Sequence, residues 1–139
     1  MSAATFACFI AGRPVPQGSK TVRRGRALDA NPRARSWRDQ VAAACHEEAP
    51  GTVRPAFTGP VRVEAEFQFL RRASARGVRA SHPVGRDMGD LDKLARGLLD
   101  GLVSGGVLRD DSQVVQLAVA KTLVDQLDAE GAHVTVRDV

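Results

Sequence analysis

The stretch Asp87–Lys121, DMGDLDKLARGLLDGLVSGGVLRDDSQVVQLAVAK, decides how the rest of the chain is read. It opens on the carboxylates Asp90 and Asp92, runs through a leucine-rich segment, and reaches a second acidic pair, Asp110 and Asp111. Leu91, Leu94, Ala95, Leu98 and Leu102 recur at helical spacing and predict a helix that buries this stripe. Asp92, Arg96 and Asp100, four apart, then line one edge of the stripe, while Lys93 faces further out. Ser104, Gly105 and Gly106 predict a turn that returns the chain toward the helix start. Val114 to Leu123 is rich in β-branched residues and predicts a strand with Val115, Leu117, Val119 and Lys121 on one face. Asp110 with Gln113 also fits a helical capping box.

Working outward, Val61 to Leu70 alternates, with Val61, Val63, Ala65, Phe67 and Phe69 on one face and Arg62, Glu64, Glu66 and Gln68 on the other, which predicts a half-buried strand. Residues 71–86 lack periodicity and carry Arg71, Arg72, Arg76, Arg79 and Arg86; they predict a mobile Arg-rich loop, and loops of this length are usually functional. Pro50, Gly51, Pro55, Gly59 and Pro60 mark a connector. Before it, Asn31-Pro32 starts a helix over Arg33 to Glu48. Its stripe is Trp37, Val41, Ala44 and Cys45, with Trp37 read as core, and Arg35 and Arg38 give it a basic surface. Residues 12–27 predict a basic loop. Pro14, Pro16 and Gly18 forbid regular structure there, and Arg13, Lys20, Arg23, Arg24 and Arg26 supply phosphate contacts. The loop does not match GxxxxGK[ST], so a nucleotide-binding P-loop has no support. Thr5 to Ala11 predicts the first strand and His133 to Val139, after Gly131, the last. The expectation is a small single α+β domain over 1–139, in the order β-α-β-α-β-β, with helices packed on a mixed sheet.

A chain of 139 residues suits one core. With 43% hydrophobic but only 4% aromatic residues, that core must be built from Val, Leu and Ala, and a domain built this way can need a partner subunit to finish its core. The net charge of +4 and the excess of arginine over lysine favour an anionic partner, nucleic acid first, although a GC-rich genome also yields such a composition. Cys8 and Cys45 read as a reduced, structural pair, and His46, His82 and His133 are too scattered for zinc. No signal peptide or bilayer-spanning stretch is legible, so a cytosolic protein without membrane contact is expected.

Within a basic chain, carboxylates at two chain positions suggest a hard divalent cation such as Mg2+, held by two or three of them with waters and substrate phosphate. Asp90 and Asp92 flank one residue and can aim at one point; Asp110 and Asp111 diverge if extended, so one of them joins. Each also has a plain alternative, Asp90 as a helix cap and Asp110 as a turn residue. Lys121, on an apolar strand face, either meets a carboxylate or snorkels to water.

The same residues resemble the RusA family of Holliday-junction resolvases. Its signature is D-x-D-N-L-x-K, then D-A-L, then D-D-x-Q-V ahead of a strand with a lysine. Here the order is Asp90-Leu91-Asp92-Lys93-Leu94-Ala95-Arg96, Asp100-Gly101-Leu102, Asp110-Asp111-Ser112-Gln113-Val114 and Lys121, and Gly12 to Lys20 is similar to the family's G-x-P-x-P-x-G-S-K opening. The resemblance implies a homodimeric, Mg2+-dependent endodeoxyribonuclease, with Mn2+ as a possible substitute, that recognises four-way DNA junctions and resolves them by paired nicks. It implies Asp90, Asp92 and Asp111 as metal ligands and Arg96, with Lys93 or Lys121, as the cationic helpers. Lys93 stands where the family often has Asn, and Arg96 where it often has a catalytic Lys. The DNA-contacting set expected alongside is Arg13, Lys20, Arg23, Arg24, Arg26, Arg35 and Arg38. The alternatives are a non-catalytic branched-DNA-binding module, favoured by Arg96, and a metal-dependent nuclease of flaps or other branched DNA.

Overall fold

A computed structural model describes residues 5–17, 20–23, 26–29, 32–48, 55–72, 83–84 and 88–139, with only the backbone for 20–23, 26–29 and 32. Along them run β1 (Thr5–Ala11), β2 (Lys20–Arg23), β3 (Arg26–Asp29), α1 (Pro32–Glu48), β4 (Val61–Leu70), α2 (Leu91–Ser104), β5 (Val114–Val124) and β6 (Gly131–Asp138). Short 3-10 turns occupy Asp111–Gln113 and Leu127–Ala129.

The alternation in β4 makes it an inner strand. Val61, Val63, Phe67 and Phe69 are fully buried, and the sheet order is β1-β6-β4-β5. β6 pairs antiparallel with both β1 and β4, whereas β5 runs parallel to β4. Parallel neighbours need a crossover, and α2 supplies it, so β4-α2-β5 is one βαβ unit with α2 packed against the sheet. Apart from the β2-β3 ribbon, this is the expected α+β domain, with a mixed sheet and, among the described residues, two helices in the predicted order.

The other face of β4 carries Arg62, Glu64 and Glu66 to solvent. Glu64 accepts from Arg62 at 2.7 Å and from Arg137 of β6, and these two guanidinium groups hold its carboxyl below the usual carboxylate range.

α1 buries Ala34, Trp37, Val41 and Cys45, with Ala44 half-buried, and α2 buries Leu94, Ala95, Leu98 and Leu102, with Leu91 half-buried. The two helices pack at very short range through Gly101 and Gly105. A Cβ on Gly101 would lie 2.6 Å from Val41 Cβ, and one on Gly105 2.9 Å from Cys45 Cβ. Neither helical stripe announces this glycine contact. Cys8 and Cys45 are free thiols, as expected of a reduced pair, and a hydrogen bond with Cys45 holds the Cys8 thiol below its ordinary value.

The basic loop expected over 12–27 needs correction. Residues 13–17 have no regular structure, but β2 and β3 pair antiparallel as a separate ribbon. The prolines and Gly18 end before Lys20, and Thr21-Val22 and Ala27-Leu28 are compatible with strand, so nothing beyond Ser19 forbids pairing. Of the expected loop over 71–86, residues 73–82 and 85–86 lie outside the described residues. Arg71 extends β4, donating its backbone N–H to Val124 O at 2.7 Å and its Nε to Asp125 at 2.9 Å. β5 is an edge strand, and Val115 (57% exposed) and Leu117 (45%) remain exposed along it. Among the described residues no helix is long and apolar enough to cross a membrane.

Candidate active site

The chain enters α2 through Met88, Gly89 and Asp90. Met88 is buried in the core, and Gly89 adopts φ +84°, a left-handed conformation that favours glycine. A Cβ there would sit 2.5 Å from Pro16 Cγ, so the residue is also wedged against the N-terminal segment. Lys121 donates from β5 to the Gly89 carbonyl at 3.0 Å, a carbonyl where the sequence led us to expect a carboxylate or water. Asp90 is the N-cap of α2, in extended conformation, yet its side chain makes no capping bond. Its backbone carbonyl accepts from Lys93 N at 3.1 Å and Leu94 N at 3.0 Å, and its carboxylate stands 3.7 Å from Lys93 Nζ. Both side chains are substantially exposed, so that pair stabilises little.

The N-terminal segment is tied to the same turn. Gln17 donates its backbone N–H to Lys93 O at 3.0 Å, and its buried side chain accepts from Arg38 Nη1 of α1 at 3.0 Å. The segment that leads to the basic ribbon therefore rests on the first turn of α2.

The second acidic pair splits. Asp110 caps the 3-10 turn, accepting from Ser112 N at 3.0 Å, and hydrogen bonds from the Ser112 side chain and backbone hold its carboxyl below the usual range. Gln113 completes the capping box, accepting from Asp110 N at 3.0 Å and Arg109 N at 2.7 Å. Its amide donates to Phe57 O at 3.0 Å and Gly59 O at 2.9 Å, fastening the turn to the connector before β4. The strand and the capping box were both legible, and both form. The Asp111 carboxylate is left exposed, without a hydrogen bond or ion pair among the described residues, while its backbone carbonyl accepts from Val114 N.

Two concavities meet at Asp111. A groove of about 580 Å³ between α2 and β5 is lined by Leu91, Asp92, Ala95, Arg96, Leu99, Asp111, Leu117 and Val119. A cleft of about 420 Å³ between the helices is lined by Arg35, Arg38, Asp39, Asp100, Val103, Ser104, Asp110 and Asp111. The edge Asp92–Arg96–Asp100 thus runs from the groove into the cleft, and Asp111 belongs to both. The apolar floor of the groove went unread in the sequence; the one available signal was the surplus of apolar residues beyond the helical stripe, at Leu99 and Leu117.

The remaining expected residues are dispersed. Arg13 turns toward Glu130, 3.6 Å away, and lies over the Phe69 ring at 5.4 Å. Lys20, Arg23 and Arg26 belong to the ribbon, and Arg24 is outside the described residues.

Among the described residues no three His, Cys, Asp or Glu side chains already form a metal cage. Mg2+ does not need one, since it normally keeps several waters and takes one or two carboxylates plus substrate phosphate. Asp92 and Asp111, exposed oxygen donors open to one groove, fit that requirement, and Asp90, paired only loosely with Lys93, stands exposed at the adjoining helix start.

Residues 11–137 match the family model of the RusA endodeoxyribonucleases, so the chain belongs to that family. The family resolves Holliday junctions, generally with a divalent metal. Comparison with individual curated proteins gives no match.

Proposed function

We propose that this member of the RusA family is a Mg2+-dependent endodeoxyribonuclease that acts as a homodimer on four-way DNA junctions and resolves them by paired nicks. The observation that carries the reading is Asp111, shared by a groove containing Asp92 and Arg96 and a cleft containing Arg35 and Arg38. Carboxylates able to hold a cation thereby adjoin guanidinium groups able to hold phosphate.

In this reading Asp92, Asp111 and Asp90 hold the cation, with Mn2+ an acceptable substitute. When bound, the cation acidifies a water and offsets phosphate charge. Arg96, exposed at the groove and without an ion pair among the described residues, neutralises the charge that develops on the phosphate oxygens. A guanidinium keeps its proton at ordinary pH, so Arg96 acts by charge alone. Lys93, beside Asp90, is the nearer ammonium able to serve a leaving oxygen. Arg35 and Arg38 contact flanking phosphates from α1, Lys20, Arg23 and Arg26 of the ribbon's strands extend that contact, and Arg24 joins the set. Arg13, turned to Glu130, contributes to the set through the course of the segment it begins. The exposed Val115 of the edge strand supports a second subunit. A DNA substrate places the activity in the cytoplasm.

The test incubates the protein with four-way junction, flap and linear duplex, with and without Mg2+, beside Asp90→Asn and Asp111→Asn. The expected result is Mg2+-dependent paired nicking of the junction. Each variant should lose more than the roughly 10–100-fold that removal of an outer-shell partner costs. Binding without cutting under every condition would make the chain a branched-DNA-binding module. Preference for the flap would make it a flap nuclease, and equal cutting of linear duplex would remove junction selectivity.

A further inference from the structure

Lys121 sits on β5 opposite Phe67 of β4, half-buried, and its ammonium is spent on the backbone of a distant loop. It makes no ion pair with a carboxylate among the described residues; its bond is to the Gly89 carbonyl, 3.0 Å away and 32 residues earlier in the chain. Gly89 is immobilised from a second direction by Pro16, whose ring occupies the space a Cβ would need, and the preceding residue, Met88, is anchored in the core. The peptide unit that joins Gly89 to Asp90 is planar, so a carbonyl oxygen held in place fixes the line along which the Asp90 N–Cα bond leaves. Among the described residues the Asp90 carboxylate has no restraint other than the loose pair with Lys93, because its side chain makes no capping bond.

We propose that Lys121 is a positioning residue. By holding the Gly89 carbonyl it sets where the Asp90 carboxylate stands, and it acts on the metal through Asp90 rather than by touching the scissile phosphate. This rests on the reading of Asp90 as a metal ligand. A charge-assisted bond from an ammonium suits the task, since it is stronger than a neutral one and the lysine keeps two further donors for solvent or neighbouring groups. Outer-shell partners of this kind typically change metal affinity by 10–100-fold.

The experiment measures Mn2+ affinity by calorimetry for the native chain, Lys121→Met, Lys121→Arg, Asp90→Asn and Asp90→Asn/Lys121→Met, with amide hydrogen exchange of the metal-free proteins. Lys121→Met should weaken Mn2+ binding roughly tenfold. It should speed exchange at residues 89–93 while the rest of the sheet keeps its protection, and excess Mn2+ should restore most of its kcat. Lys121→Arg, which keeps the charged donor, should recover part of the affinity. In the Asp90→Asn background the lysine change should cost no further affinity, a result that general destabilisation does not produce. Unchanged Mn2+ affinity with a kcat loss that metal fails to restore would overturn the proposal in favour of direct contact with the phosphate. Unchanged exchange at residues 89–93 would overturn the anchor itself. A native chain that binds no Mn2+ would instead defeat the nuclease reading, with the anchor still judged by exchange. Where Lys121→Met lowers Tm sharply, Lys121→Gln supplies the same comparison with a neutral donor.

Discussion

Asp90 and Asp110 occupy the same local position and do opposite things. Each is the N-cap of a helical segment, each has extended backbone angles, at φ −78° and ψ 142° for Asp90 and φ −155° and ψ 148° for Asp110. Asp110 spends its carboxylate on Ser112, inside a capping box that Gln113 closes and bolts to the connector. Asp90 leaves its first-turn N–H groups without that partner. The difference follows from what else holds each element. α2 buries four large or small apolar side chains and packs on α1 and the sheet, so its stability comes from tertiary contact. A three-residue turn with no buried residue has only its cap. A carboxylate is free for chemistry where the fold can do without it.

The sharpest way to break this comparison is to neutralise each carboxylate in turn. Asp90→Asn should lower junction cleavage by more than about 100-fold while leaving Tm close to native. Asp110→Asn should do the reverse, lowering Tm and keeping cleavage within a few fold. Thermal melts and single-turnover cleavage on the same preparations check both, and a swapped pattern would exchange the roles assigned to the two residues.

The loop that presents Asp90 gives the next effect. Gly89→Ala places a side chain at φ +84° and against Pro16, so it should cost about 1–3 kcal/mol in chemical denaturation and weaken metal binding as well. Gly101→Ala, far from the carboxylates but 2.6 Å from Val41, should cost a similar 1–3 kcal/mol by overpacking, with the metal affinity of the folded fraction retained. Equal metal affinity in the two variants would blur the distinction between loop and scaffold.

pH sharpens it further. The Asp110 carboxyl is held below its ordinary value by Ser112, so its stabilising effect is present above the unfolded pKa of about 3.9 and is lost as pH falls through the lower folded pKa. The Tm gap between native chain and Asp110→Asn should therefore be full at pH 5 to 7 and close below about pH 4. A gap that stays constant through that range would remove the capping explanation. Smallest of all, Arg35→Ala and Arg38→Ala should each lower the salt slope of junction binding by about one unit, with little change in junction preference.

Much of this architecture is legible along the chain because it is periodic. Strict alternation over Val61–Leu70 gives β4, the leucine stripe gives α2, and the Asp110-Ser112-Gln113 pattern gives its turn. The pairing of Asp92 with Asp111 in one groove follows from a helix and strand joined by a short turn. What escapes is contact between residues of unrelated periodicity. The wedge of Pro16 on Gly89, the bond from Lys121 to a carbonyl, and the close seat of Val41 on Gly101 each join distant segments through one or two atoms. Nor does sequence spacing show that β2 and β3 pair, since prolines just ahead of them dominate a local reading.

The parallel pairing of β5 with β4 has a consequence for how the protein is made. Its partners, such as Val63 and Leu117, are more than fifty residues apart, and parallel strands linked through a helix pay loop-closure entropy before any pairing rewards it. Until β5 docks, Lys121 is not at Gly89 and Asp111 does not share a groove with Asp92. The helix can form and the β1-β6-β4 sheet can assemble without creating a competent centre. Docking of β5 is therefore the step that brings the acidic residues together, and a growing chain holds them apart until β5 has been made.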